Sequence, residues 1–222
     1  MIHDFTPDGG RQPYYGMYPA MVTDIVDPEN LGRVELRFPW LGTDGDNEVR
    51  AWATLISPYA DDDQGFQALP EVGSQVVVAF EAGNLRRPYI VGACWNGREA
   101  MPVQPEAANN KRVIKTRAKS ILEFDDTQGA AKITLKLESG HKLELDDSGQ
   151  TVTLTHANGS VVRFTASGQI EIQANATVEI TAAAVNVHAP VATFDGMINC
   201  TTLNASVGVV SPMYTPGAGN VW

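Results

Sequence analysis

The second half of this chain repeats, and the repeat limits what it can fold into. Short runs alternate apolar and polar residues: Ile133/Leu135/Leu137, Leu143/Leu145, Val152/Leu154, Val162/Phe164, Ile170/Ile172, Val178/Ile180 and Val185/Val187. A period of two is the mark of a strand with one buried face. Between the early runs stand Ser139-Gly140, Ser148-Gly149, Asn158-Gly159 and Ser167-Gly168, spaced by 9, 10 and 9 residues. Glycine in such pairs takes up positive φ without steric cost, so each pair reads as a turn. Toward the C-terminus the spacing of the runs contracts to 8 and then 7. Short strands with regular turns predict a β-repeat architecture. Each strand offers two or three inward side chains, and late in the chain many of these are Ala. One copy therefore has little core and long unpaired edges. The repeat predicts an obligate oligomer, with threefold symmetry the natural closed solution for a β-prism.

The first half differs in character. Residues 1–97 hold 6 basic and 14 acidic side chains, whereas residues 98–222 hold 10 and 12, and after Arg163 there is no Lys or Arg. The break falls in the proline-bearing stretch Arg98-Glu99-Ala100-Met101-Pro102-Val103-Gln104-Pro105, which reads as a linker. Before it, residues 33–38, 73–80 and 89–92 read as strands flanked by Gly and Pro. Several such strands in one small unit fit a barrel, a five-stranded OB type being one option. No long amphipathic helical period occurs anywhere. Trp40, Trp52 and Trp95 are expected to cluster in this unit.

Composition closes off other classes. With 16 basic against 26 acidic residues and a net charge of −10, the chain lacks the cationic surplus that nucleic-acid binding draws on. No window approaches the ~18 apolar residues of a membrane-spanning helix. The opening Met1-Ile2-His3-Asp4-Phe5-Thr6-Pro7 has no basic or apolar leader pattern. Two distant cysteines, Cys94 and Cys200, exclude a disulfide scaffold and a Cys-rich zinc site, and are expected to be reduced core residues.

At this point the residues carry a resemblance. Asp27-Pro28-Glu29-Asn30-Leu31-Gly32-Arg33-Val34, then Phe38-Pro39-Trp40-Leu41 and Ala51-Trp52-Ala53, are followed by the run from Leu69-Pro70-Glu71-Val72-Gly73 to Phe80 and by Arg87-Pro88-Tyr89-Ile90-Val91-Gly92. In this order and spacing they resemble the central spike proteins of contractile phage tails, the baseplate assembly protein V family. They are similar as well to the matching part of the VgrG spikes of type VI secretion systems. Leu122-Glu123-Phe124-Asp125-Asp126-Thr127 resembles that family's lead-in to its needle.

The resemblance implies an all-β homotrimer: an OB-fold barrel followed by an intertwined triple-stranded β-helix or β-prism needle. It divides the chain into an N-terminal arm (1–15), an OB-fold domain (16–97), a linker (98–110) and a β-repeat needle (111–222). The implied role is structural and not enzymatic, that of a membrane-piercing spike in the tail baseplate of a virion. It would bind a baseplate hub protein under the tail tube and touch the bacterial outer membrane. The linker is too short for the lysozyme domain of some relatives. Only about fifteen residues precede the barrel, where VgrG chains carry a hub module, which favours a phage-type spike with its hub on another polypeptide. The spike of a type VI-like system or a tailocin stays open, as does a generic OB-fold ligand-binding module with a trimeric β tail. A trimeric adhesin shares the needle but not the barrel motifs.

Direct signals of chemistry are sparse. There is no G-x-S-x-G, H-E-x-x-H or P-loop lysine, and Gly217-Ala218-Gly219-Asn220 lacks the rest of a dinucleotide fingerprint. No cofactor is expected. Asp61-Asp62-Asp63 reads as a solvated loop rather than a calcium site, since it lacks the Gly and distal Glu of an EF-hand. Lys111, Arg112, Lys115, Arg117 and Lys119 read as a solvated collar, with a patch complementary to the acidic barrel as the alternative. The Asn-x-Ser/Thr triplets, such as Asn158-Gly159-Ser160, read as turn and strand residues. The four histidines, His3, His141, His156 and His188, include no pair one residue apart, so an axial metal site held by such pairs is not expected. The C-terminal stretch 211–222 reads as a blunt end. Tyr214 and Trp222 are the candidate residues for docking a separate tip protein of the PAAR-repeat kind.

Overall fold

Residues 13–44 and 47–211 are described by the computed structural model. The first strands are β1 (Met17–Asp24), β2 (Arg33–Arg37), β3 (Thr43–Asp44), β4 (Asn47–Glu48), β5 (Arg50–Leu55), β6 (Ala60–Asp61), β7 (Gln64–Gly65), β8 (Gln75–Phe80) and β9 (Pro88–Ala93). Five of them close a barrel in the order β1-β2-β5-β9-β8. Every pair around it is antiparallel except β5 with β9, where Thr54 lies opposite Tyr89. Closure removes the free edges that strands this short would otherwise expose.

Period-two burial follows the sequence. Val76, Val78 and Phe80 of β8 point inward with Ala20, Val22, Val34, Leu36, Ala53 and Ile90, and Phe38 fills the barrel beyond β2. Trp40 lies against this core: it stacks on Tyr18 with centroids 4.7 Å apart and donates from Nε1 to the Pro19 carbonyl at 2.8 Å. The other tryptophans do not join it. Trp52 precedes the buried Ala53, so alternation turns it outward beneath the Arg33 guanidinium at 5.8 Å, and Trp95 lies exposed past the end of β9. Cys94 and Cys200 are also exposed, contrary to the core placement expected. Cys94 lies beyond Ile90, the last buried residue of its strand, and Cys200 lies in a segment with no packing layer.

A second sheet contains β10 (Lys111–Lys115), β11 (Ile121–Asp125), β12 (Lys132–Lys136), β13 (Lys142–Asp146), β14 (Thr151–Thr155), β15 (Val161–Phe164) and β16 (Ile170–Gln173). Its seven strands pair antiparallel in strict chain order. Each connecting turn holds one residue in the left-handed region: Lys119, Gly129, Gly140, Gln150, Gly159 and Gly168. In one turn the expected glycine is not that residue. Gly149 serves there by its small size and its N–H, which donates to Asp146 Oδ1 at 2.9 Å, because a Cβ would lie 3.3 Å from the Asp146 carboxyl carbon.

The strands expected at Val178/Ile180 and Val185/Val187 are absent: the described residues 174–211 contain no strand. A strand exists through hydrogen bonds to a neighbour. Between Ser167-Gly168 and Asp195-Gly196 the sequence has no glycine turn pair, so nothing folds the chain back on itself around Val178/Ile180 and Val185/Val187. The chain divides into two units at this boundary, 1–173 and 174–222.

Candidate functional site

Residues directly opposite one another in an antiparallel pair share a face. Following the register across β10–β16 therefore sorts the whole sheet. One face carries Ile114, Leu122, Phe124, Ile133, Leu135, Leu143, Leu145, Val152, Leu154, Val162, Phe164, Ile170 and Ile172, with Arg112 its one charged member. The other face carries rows of charge and threonine, such as Lys111–Asp125–Lys132–Asp146–Thr151, interrupted by Val113, Ile121 and Val161. Neighbouring charges on it pair, with Lys142 Nζ 2.6 Å from Glu144 and Lys111 Nζ 3.5 Å from Glu123. This sheet has an oil side and a water side.

Among the described residues nothing of one chain buries the oil side. Among the described residues none after Ile90 is buried. Soluble monomers rarely expose contiguous apolar patches beyond a few hundred Å², and larger ones mark interaction sites. Among the described residues this face is the leading candidate for an interaction surface.

The motif residues of the barrel are structural. The Asp27 carboxylate, buried, accepts from the backbone N–H of Glu29 (3.0 Å), Leu31 (3.1 Å) and Arg33 (3.2 Å), and from Arg33 Nε and Nη2, both at 2.9 Å. Arg33 is the main reason this carboxyl is held far below the usual carboxylate range, against the opposing effect of burial. The loop between β1 and β2 thus winds around one carboxylate, which explains why Asp27 and Arg33 stand six residues apart. The face that OB folds use for oligonucleotides, across the second and third barrel strands, is here β2 and β5. Arg50 is bound to Glu35 at 3.1 Å and to Glu48 at 3.0 Å, and Arg37 to Glu48 at 2.8 Å. These cations are committed to neighbouring carboxylates.

Other sequence candidates fall as follows. Asp61, Asp62 and Asp63 form the exposed tip of the β6–β7 hairpin, with Asp63 in the left-handed region. Among the described residues no three His, Cys, Asp or Glu side chains come together to hold a metal ion. Of the basic run, Arg112 pairs with Asp126 at 3.4 Å, Lys119 with Glu138 at 2.7 Å, and Arg117 reaches Glu71 of the barrel at 3.0 Å. Tyr214 and Trp222 lie outside the described residues, as does His3.

Comparison with known proteins places the barrel. Residues 18–95 match the family model described as the type VI secretion system/phage-baseplate injector OB domain. The barrel is similar to the injector OB domain of that family. Its matched range spans all five barrel strands except the first residue of β1. The chain is also similar to the type VI secretion system spike protein VgrG3 of Vibrio cholerae, 28% identical over 128 residues. It is 27% identical to the actin cross-linking toxin VgrG1 of the same species, and 24% identical to the spike protein VgrG1b of Pseudomonas aeruginosa. These alignments cover 52%, 52% and 54% of this chain, but only 13%, 12% and 17% of the respective relatives. The likeness therefore concerns a small part of each relative.

Proposed function

We propose that this chain is a structural, non-enzymatic spike of a contractile injection apparatus and works as a homotrimer. In this reading the domain limits are those of the sequence, with the barrel at 16–97, the linker at 98–110 and the needle at 111–222. Three sheets turn their oil sides to a common axis, and three copies of the later segment supply one another with the strand partners each lacks alone. The acidic barrel is the assembly end, docking on a hub protein beneath the tail tube. The needle is the leading end, and Tyr214 and Trp222 seat a small tip protein. The setting we propose is the tail baseplate of a virion, where the spike meets the bacterial outer membrane.

One observation carries this reading: a continuous apolar face over seven strands that no layer among the described residues covers. The VgrG relatives support it, being named spike proteins of a secretion machine. Sedimentation equilibrium of the full chain tests it. The expected mass is three times the 23.9 kDa of one copy. A monomer with intact β circular dichroism would overturn it. Hub docking is tested separately by co-purification, with the barrel surface and not the needle expected to be required.

A further inference from the structure

In a meander, alternate turns lie at the same end of the sheet. The turns 116–120, 137–141 and 156–160 therefore form a row at one end, and each is closed by the same backbone pattern, as in Leu137 N–H to His141 O at 2.9 Å and Gly140 N–H to Leu137 O at 3.0 Å. Side chains latch this row together. Lys119 Nζ reaches from the first turn to Glu138 of the second at 2.7 Å. His141 of the second turn meets His156 of the third edge to face, with centroids 4.4 Å apart.

The two rings are held by the same kind of bond. His141 Nδ1 accepts the backbone N–H of Ala157 at 3.3 Å, across the gap between turns, and His156 Nδ1 accepts that of Asn158 at 3.2 Å. A neutral imidazole has one acceptor nitrogen, and here both acceptors are used. The turns also touch where Gly140 faces Ala157, since a Cβ on Gly140 would lie 3.9 Å from the Ala157 Cα.

We propose that His141 and His156 form a proton-operated clasp between the second and third turns of this row, closed when both rings are neutral and opened by acid. Protonation turns each Nδ1 from acceptor to donor, so both backbone N–H groups lose their partner. It also sets two positive charges against each other at the 4.4 Å ring contact. Protons therefore favour the open form. The charged groups around the clasp do not reverse this. Glu138 is engaged by Lys119, which holds its carboxyl below the usual value, so the first latch stays shut at about pH 5. Lys142, next to His141, is bound to Glu144 at 2.6 Å, and Lys136 and Lys115 on the neighbouring strands add only positive charge. The 156–160 turn itself carries no charged residue other than His156. The inference stands on one chain and does not depend on the number of copies in the assembly.

Hydrogen–deuterium exchange read by mass spectrometry on the full chain tests it, at about pH 8 and about pH 5, the range over which histidine changes charge. Rates are corrected for the intrinsic pH dependence of exchange. Amides of the 156–160 turn should exchange about tenfold faster at the acid end, while those of the 116–120 turn, which has no histidine, keep their protection. The paired substitution His141→Gln with His156→Gln keeps an acceptor on each side chain without a titrating group, and should abolish the difference. Equal acceleration in both turns, no acceleration in either, or an unchanged response in the Gln variant would each overturn the clasp.

Discussion

Leu154 is the sharpest probe of the uncovered face. It lies at the middle of the oil side between Leu143 and Val162, and 54% of it remains exposed in one chain. Full burial of a leucine side chain contributes roughly 1.5–3 kcal/mol, so covering the exposed half adds about 1 kcal/mol per chain. In a threefold assembly Leu154→Ala then weakens association by about 3 kcal/mol, a loss of about two decades in the association constant. Leu154→Asp should do more, because an unpaired carboxylate would enter an apolar interface. The control is Thr153→Asp on the water side, between Glu144 and Arg163, where repulsion from the one and attraction to the other offset. Sedimentation velocity across a dilution series, repeated in increasing guanidinium, reads the dissociation midpoint. The expected order is Thr153→Asp close to the unsubstituted chain, Leu154→Ala lower and Leu154→Asp lowest. If Leu154→Asp sediments like the unsubstituted chain throughout, or Thr153→Asp disrupts equally, the oil side is not the assembly surface.

Three further outcomes follow from the barrel. Leu36→Ala empties a fully buried site and should cost the barrel about 2–5 kcal/mol in chemical unfolding, with its strand order intact. Asp27→Asn removes the charge on which the β1–β2 loop is wound and should lower the unfolding temperature at neutral pH. Because the folded carboxyl is held below its ordinary value, its contribution is fully present above about pH 4 and fades only as pH falls further. The gap between Asp27→Asn and the unsubstituted chain should thus stay constant from pH 7 to about pH 4 and shrink below that. Gly65→Ala would place a Cβ 2.6 Å from the Tyr59 carbonyl oxygen, a backbone atom with nowhere to go. Limited proteolysis should then cut the β6–β7 hairpin sooner while the barrel core resists.

The two sheets were legible in the sequence to different depths. Alternation in residues 33–38 marked a strand whose burial follows the same period, while the β-rich run 73–80 marked a strand whose burial alternates although its sequence does not. The Gly turns at 140, 159 and 168 likewise fixed the meander, because each is closed by local hydrogen bonds that depend on a few adjacent residues. What stayed hidden depended on partners far away in the chain. Trp40, Trp52 and Trp95 looked alike as large aromatics, yet their depth is set by strand phase and by where β9 ends. The role of Asp27 was invisible because its main partner, Arg33, is brought to it by a loop that the contact itself shapes. The His141–His156 pair could have been found by aligning successive turns, which places both at one end. Val178 and Val185 carry the strand period but no chain reversal, and period alone does not supply a neighbour.

The strict chain order of β10–β16 makes the sheet a gauge of length. Neighbouring strands lie about 4.8 Å apart, so seven of them span about 29 Å, measured across the strands. Every strand leans only on those immediately before and after it, so deleting or duplicating one hairpin leaves the other registers untouched. The span can therefore be reset in equal steps by copying a stretch of about twenty residues, with no redesign of the barrel that carries it.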